Sequence, residues 1–242
     1  MSKARRGSYG MDAPYVPALM LLGSTPLWAG AVRSVLAGDL GGAAMMGASA
    51  AFLVLCAVSY LYTTFAGKFA VWGELLAGLK LRGDEQVLDV GCGRGAVLLL
   101  AAERLRAGRA TGIDLWQVQD QSGNALEATR QNAEAEGVKE RVELHTGDMR
   151  ELPFSDSCFD LIVSSLAIHN VPDAAGRAKA VQEIARVLKP GGRVLLADFK
   201  FVDDYAATLR DAGLREVESR GLGLRFWYGG PWAATRLVSA RR

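Results

Sequence analysis

Two stretches of the chain contain no charged residue, one from Ala13 to Val32 and the other from Leu40 to Gly67. Each reaches or exceeds the ~20 residues that carry a helix across a hydrocarbon core, where the backbone must satisfy its own hydrogen bonds. Both are therefore expected as helices. The second is the more apolar, with Phe52, Leu53, Val54 and Leu55 at its middle and Tyr60 and Tyr62 placed like an interfacial belt. The first contains Ser24, Thr25 and Pro26 and is expected to span only with a kink.

Lys3, Arg5 and Arg6 precede the first stretch, Lys68 and Lys80 follow the second, and the link "AGDLGG" carries only Asp39. The excess of positive charge at the outer ends places both ends on the cytoplasmic side of a bilayer, with Arg33 snorkelling to the headgroups. Ala43, Gly47 and Ala51 recur at four-residue spacing, which allows close packing on the first helix or on another protomer, a route to a homo-oligomer. Two other readings stay open. A cleaved signal peptide ending near Ala29 leaves the second stretch unexplained, and a pair buried in a soluble core requires amphipathic helices, whereas the second stretch is apolar on every face.

The net charge of +2 and the lack of basic runs interleaved with aromatics argue against nucleic acid as a partner. Cys56, Cys92 and Cys158 lie far apart with no CxxC spacing, so neither a disulfide framework nor a metal site is expected.

From Lys68 the pattern changes to alternation. Helical spacing in "KFAVWGELLAGLKL" gives way to the strand "VLDV", then the helix "AVLLLAAERLRA", the strand "RATGIDLW" and the helix "NALEATRQNAEAEG". "RVELHTGD" and "FDLIVSSLAI" read as strands, "AAGRAKAVQEIARVLK" as a helix stopped by "PGG", and "RVLLADF" as a strand. A helix around "YAATLRDAG" and strands in "REVESRG" and "ATRLVSA" complete the pattern. Such alternation predicts an α/β, doubly wound, Rossmann-like sheet with its ligand at the carboxyl ends of the strands. The expected organisation is a cytoplasmic tail over 1–13, a two-helix hydrophobic hairpin over 14–67 and the sheet domain over 68–242.

"VLDVGCGRG" places Gly91, Gly93 and Gly95 after the first strand, a G-x-G-x-G spacing that alone discriminates poorly between cofactors. Asp89 sharpens it, because a carboxylate two residues before the turn opposes a pyrophosphate and attracts an ammonium. Asp114, ending the next strand, is placed to accept hydrogen bonds from a ribose. A cofactor with a cationic head and no phosphate fits better than a dinucleotide.

Together "VLDVGCGRG", "GIDL", "GDMRELPF", "FDLIVSSLAIHNV" and "LKPGGRVLLADF", in that order, resemble the class I S-adenosylmethionine-dependent methyltransferase family from about Lys68 to the C-terminus. The resemblance implies a seven-stranded sheet and S-adenosylmethionine as cofactor. It implies that Gly91 and Gly93 admit the methionine part, that Asp89 attracts its amino group and that Asp114 clasps the ribose. Leu115 and Trp116 would lie beside the adenine, Asp148 would take its amino group with Met149 stacking nearby, and Ser164 or Ser165 would lie close to the methionine moiety.

His169, after the strand "FDLIVSSLAI", is the candidate catalytic base, since an imidazole titrates near neutrality; His145 lies within a strand and reads as structural. The Asn-Pro-Pro-Tyr signature that amide- and adenine-nitrogen methylators of the resembled family carry at this strand end is absent, which by that resemblance argues against nucleic-acid bases and protein amides as acceptors. The C-terminal "GLGLRFWYGGPW" gathers Phe226, Trp227, Tyr228 and Trp232, which either close the core or form a hydrophobic substrate mouth. With an anchored domain, the expected acceptor is a small hydrophobic or lipid-like molecule drawn from the bilayer. Protein or RNA methylation and non-catalytic cofactor binding are the alternatives.

Overall fold

The computed structural model describes residues 5–242; the expectation for Lys3 lies outside them. Helix α1 (Tyr15–Leu36) and helix α2 (Leu40–Tyr62) form an antiparallel hairpin joined by Ala37–Asp39, where the Asp39 carboxylate accepts the Gly42 amide at 2.9 Å and caps α2. At ~1.5 Å per residue each is about 33 Å long, enough to cross a ~30 Å hydrocarbon core. Helix α1 runs unbroken through Pro26. Proline removes the amide that would bond the Leu22 carbonyl, and the Thr25 hydroxyl takes that carbonyl instead at 2.7 Å. Small residues allow the helices close approach: a Cβ on Gly30 would lie 2.5 Å from the Met46 sulfur, and Gly47 faces Trp28. The outer faces remain apolar and exposed, with Leu22 at 65% and Leu55 at 66%, so the hairpin is not buried in the domain of its own chain.

A π-helical turn, Thr63–Gly67, links α2 without a break to α3 (Lys68–Gly78). There the C-terminal aromatic loop grips the hairpin. The Trp227 carbonyl accepts the Ser59 and Thr63 hydroxyls at 3.3 and 2.7 Å, Tyr60 meets Tyr228 edge to face at 5.0 Å, and Phe52 lies 5.8 Å from the exposed Trp232.

The sheet comprises β1 (Gln86–Val90), β2 (Arg109–Asp114), β3 (Val142–Thr146), β4 (Phe159–Ser165), β5 (Leu188–Asp198), β6 (Arg215–Gly221) and β7 (Arg236–Arg241), in the order β3-β2-β1-β4-β5-β7-β6. The first five are parallel, and β7 runs antiparallel to both its neighbours. Helices α3, α4 (Ala96–Ala102) and α5 (Leu126–Ala135) cover one face; α6 (Ala174–Val187) and α7 (Val202–Asp211) cover the other. Val87, Leu161 and Val163 point into the first layer, and Leu88, Val90 and Ile162 into the second, as the two-residue period of a strand requires. The order in which strands are added reverses between β1 and β4, which opens a crevice at their carboxyl ends.

Residues 5–12 lie on the sheet domain. Arg5 pairs with Glu103 at 2.8 Å, the Arg6 and Gly7 amides and the Tyr9 hydroxyl donate to Glu136, and Asn132 exchanges hydrogen bonds with Ser8.

Gly67 is helical, yet a Cβ there would stand 1.9 Å from the Arg225 carbonyl oxygen, whereas Gly73, on the next turns of the same helix, has open space around it. Gly67→Ala is expected to destabilise by about 1–3 kcal/mol through overpacking. Gly73→Ala is expected to be neutral or stabilising by up to ~1 kcal/mol. Thermal unfolding of both variants in detergent checks the contrast, and equal melting temperatures would remove the proposed fit of loop to hairpin.

Candidate active site

The glycine turn follows β1 because β1 is buried on both sides and must exit into the crevice. Gly91 at φ +73° and Gly93 at φ +49° adopt left-handed backbone, and a Cβ on Gly91 would strike that of Ala167 at 2.2 Å. The turn is pinned from the second strand: the Asp114 carboxylate accepts the Gly93 amide at 2.8 Å and the Trp116 amide at 2.6 Å. Asp114 therefore shapes the turn as well as facing the cavity.

A cavity of about 770 Å³ opens from this turn. Of the sequence-predicted residues, Asp89, Gly91, Gly93, Asp114, Leu115, Asp148, Met149 and His169 all line it. Ser164 does not. Its hydroxyl donates to the Val90 carbonyl at 2.7 Å, on the opposite side of β4 from the cavity, and the adjacent Ser165 lines the cavity and accepts Trp72 Nε1 at 2.9 Å. Trp116 packs beside the core with its indole N–H on Thr146 and is not part of the lining. The Asp148 carboxylate is bound by the Arg150 guanidinium, which together with the Arg150 amide holds its pKa below the ordinary carboxylate value. His145 lies on β3 against Glu143 and Phe154, away from the cavity.

Asp89 is 1% exposed, and its Oδ2 has no hydrogen-bond partner among the described residues. Burial pushes its carboxyl up to about 8, with the Leu98 amide opposing and Asp114 adding to the rise. An orphaned carboxylate oxygen lining a cavity beside two glycines fits a ligand that brings its own cationic donor.

Other site residues were not identified from sequence. Asp198, 2% exposed at the end of β5, places Oδ1 2.8 Å from Nδ1 of His169, and its Oδ2 receives the Tyr205 hydroxyl at 3.3 Å. Leu166, between β4 and His169, sits at φ +57°, a costly conformation for a leucine that turns the chain back over the cavity. At the base of the hairpin Asp12 lines the cavity with Lys68, Tyr60 and Tyr228. Asp12 binds Lys68 Nζ at 2.8 and 3.0 Å, Tyr228 at 2.9 Å and Gln121 at 3.0 Å, and Gln121 in turn accepts the Arg94 amide of the glycine turn. A polar chain thus runs from the hairpin base to the cofactor turn. Asp12, which precedes α1, and Lys68, which follows α2, are thus partners.

Residues 87–192 match a family described as "Methyltransferase domain", and the glycine turn and acids inside that segment fit S-adenosylmethionine as the cofactor. Among relatives, 27-O-demethylrifamycin SV methyltransferase of Amycolatopsis mediterranei is 36% identical over 148 residues, 60% of this chain and 50% of that one. Demethylmenaquinone methyltransferase of Lactiplantibacillus plantarum is 35% identical over 123 residues, 50% of this chain and 48% of that one. The chain spans about half the length of the curated relatives it matches. The crystal structure of the [4+2]-cyclase SpnF shares the fold, with a TM-score of 0.56 at 23% identity over 70% of this chain and 80% of that one.

Because folded Asp89 titrates above its ordinary value of 3.8, the native state holds a proton that the unfolded chain has lost between about pH 4 and about 8. Its contribution to stability is therefore greatest near pH 4 and declines as pH rises to about 8. Asp89→Asn is expected to flatten that decline. Denaturant titrations of both proteins across this range measure it, and parallel curves would mean that folded Asp89 is ionised throughout.

Proposed function

We propose that this chain is a membrane-anchored methyltransferase that moves a methyl group from S-adenosylmethionine to a small hydrophobic or lipid-like acceptor. One observation carries the reading. One cavity is lined both by Asp89, Gly91 and Asp114 and by Tyr15, Met20 and Trp232 of the hairpin and the loop that grips it. An acceptor dissolved in a bilayer would enter on the hairpin side and meet the methyl donor at the glycine turn. Both hairpin ends meet at the domain, and the basic flanks Arg6 and Lys80 support a cytoplasmic placement of this side. The printed names of the relatives, one on a rifamycin and one on a demethylmenaquinone, are compatible with a small lipophilic acceptor.

S-adenosylmethionine supplies an already activated methyl group, so the chain's own work is alignment and proton handling. Asp89 would receive the amino group of the methionine moiety, Gly91 and Gly93 would leave room for it, and Ser165 rather than Ser164 faces the cavity there. Asp114 would hold the ribose, Leu115 and Met149 would enclose the adenine, and Asp148 would meet its amino group. Asp198 Oδ1, 2.8 Å from Nδ1, would stabilise the imidazolium that forms when His169 takes a proton from the acceptor.

Full-length protein in nanodiscs, given methyl-labelled S-adenosylmethionine and a membrane lipid extract, should deliver label to the organic phase. Label recovered in protein or RNA would replace this acceptor class with a macromolecule. On the acceptor so identified, His169→Ala should lower kcat by about 10²-fold or more, and Asp198→Asn by less, with cofactor affinity unchanged. Unaltered turnover in His169→Ala would end the assignment of a base.

A further inference from the structure

Lys68 is the first residue after the hairpin and lies 5% exposed, yet it lines the cavity. A buried ammonium has three protons to satisfy. Among the described residues, both of its hydrogen bonds go to the two oxygens of Asp12. That carboxylate also accepts Gln121 and Tyr228, so its capacity of about four acceptor positions is filled. The cluster therefore has a donor to spare and no carboxylate acceptor to offer. Its position is defined by α3: Lys68 stands one turn before Trp72, whose indole N–H binds Ser165 at the end of β4, the strand that leads to His169.

We propose that Lys68, held by Asp12, is a specificity-determining residue that donates a hydrogen bond to an oxygen on the acceptor's head. The acceptor is then an oxygen-headed amphiphile, with a phenol, enol or carbonyl oxygen, and an amine head is excluded. This rests on the reading of the cavity as the acceptor site. The Asp12–Lys68 pair is neutral as a whole, so an approaching oxygen gains a donor without facing an exposed carboxylate. An approaching ammonium meets a like charge and an acceptor already saturated.

Three probes with one tail test this: 4-octylphenol, its methyl ether, and 4-octylbenzylamine, each titrated against full-length protein in nanodiscs and corrected for uptake by empty nanodiscs. The phenol is expected to bind about tenfold or more tighter than the ether, with the amine weakest. Lys68→Met combined with Asp12→Asn, which removes both charges together, should abolish the preference, and Lys68→Arg should keep it. Binding of S-adenosylhomocysteine reports that each variant retains its cavity. If the double variant does not fold, the wild-type series and Lys68→Arg decide the matter. Equal binding of phenol and ether, or a preference that survives the double variant, overturns the role of Lys68 alone. No binding by any probe, while S-adenosylhomocysteine still binds, overturns the lipophilic-acceptor reading and this proposal with it.

Discussion

A hydrophobic hairpin can be joined to a polar domain only if the charges at the join are neutralised where they are buried. Here Asp12 and Lys68, far apart in sequence, meet at the base of the hairpin with side chains 18% and 6% exposed. Either residue alone would leave an uncompensated charge in a wall of tyrosines and apolar side chains, typically a cost of about 3–5 kcal/mol. The rest of the architecture follows from that join. Tyr60, Tyr228 and Gln121 are drawn to the pair, the C-terminal loop is drawn to α2, and residues 5–12 are carried across the domain toward α5.

The cavity divides along the same line. The matched segment, 87–192, contains the glycine turn, Asp114, Asp148, Met149 and His169. Asp12, Met20, Lys68, Tyr228 and Trp232 also line the cavity, and every one of them lies outside that segment. The matched segment thus carries the residues proposed for the cofactor, and the residues proposed to meet the acceptor come from the flanking parts of the chain. A fold that also serves a [4+2]-cyclase makes the same point: the sheet fixes where chemistry occurs, and the flanking elements fix which molecule arrives.

Strand and helix periodicity made the sheet legible, and the glycine turn with Asp89 and Asp114 made the cofactor end legible, because these signals are local. Asp12 with Lys68 and His169 with Asp198 were not, because each partner arrives from a different element and neither spacing has a period. Ser164 and Ser165 could not be told apart for another reason. A strand covered by helices on both faces is apolar on both, so "FDLIVSS" shows no alternation that would assign its faces. At Pro26, where the sequence leads one to expect a kink, the helix continues and Thr25 satisfies the carbonyl that proline abandons.

The cavity wall is shared between the hairpin and the domain: Val16, Met20 and Tyr60 belong to the apolar helices, and Tyr228 and Ala233 to the loop that grips them. The hairpin is consequently part of the cavity's wall rather than an appendage to it. Deleting it would open one side of the cavity to water. Exchanging the outward Leu19, Leu22, Val32 and Leu55 for polar residues would change its outer face alone and leave every inward contact in place.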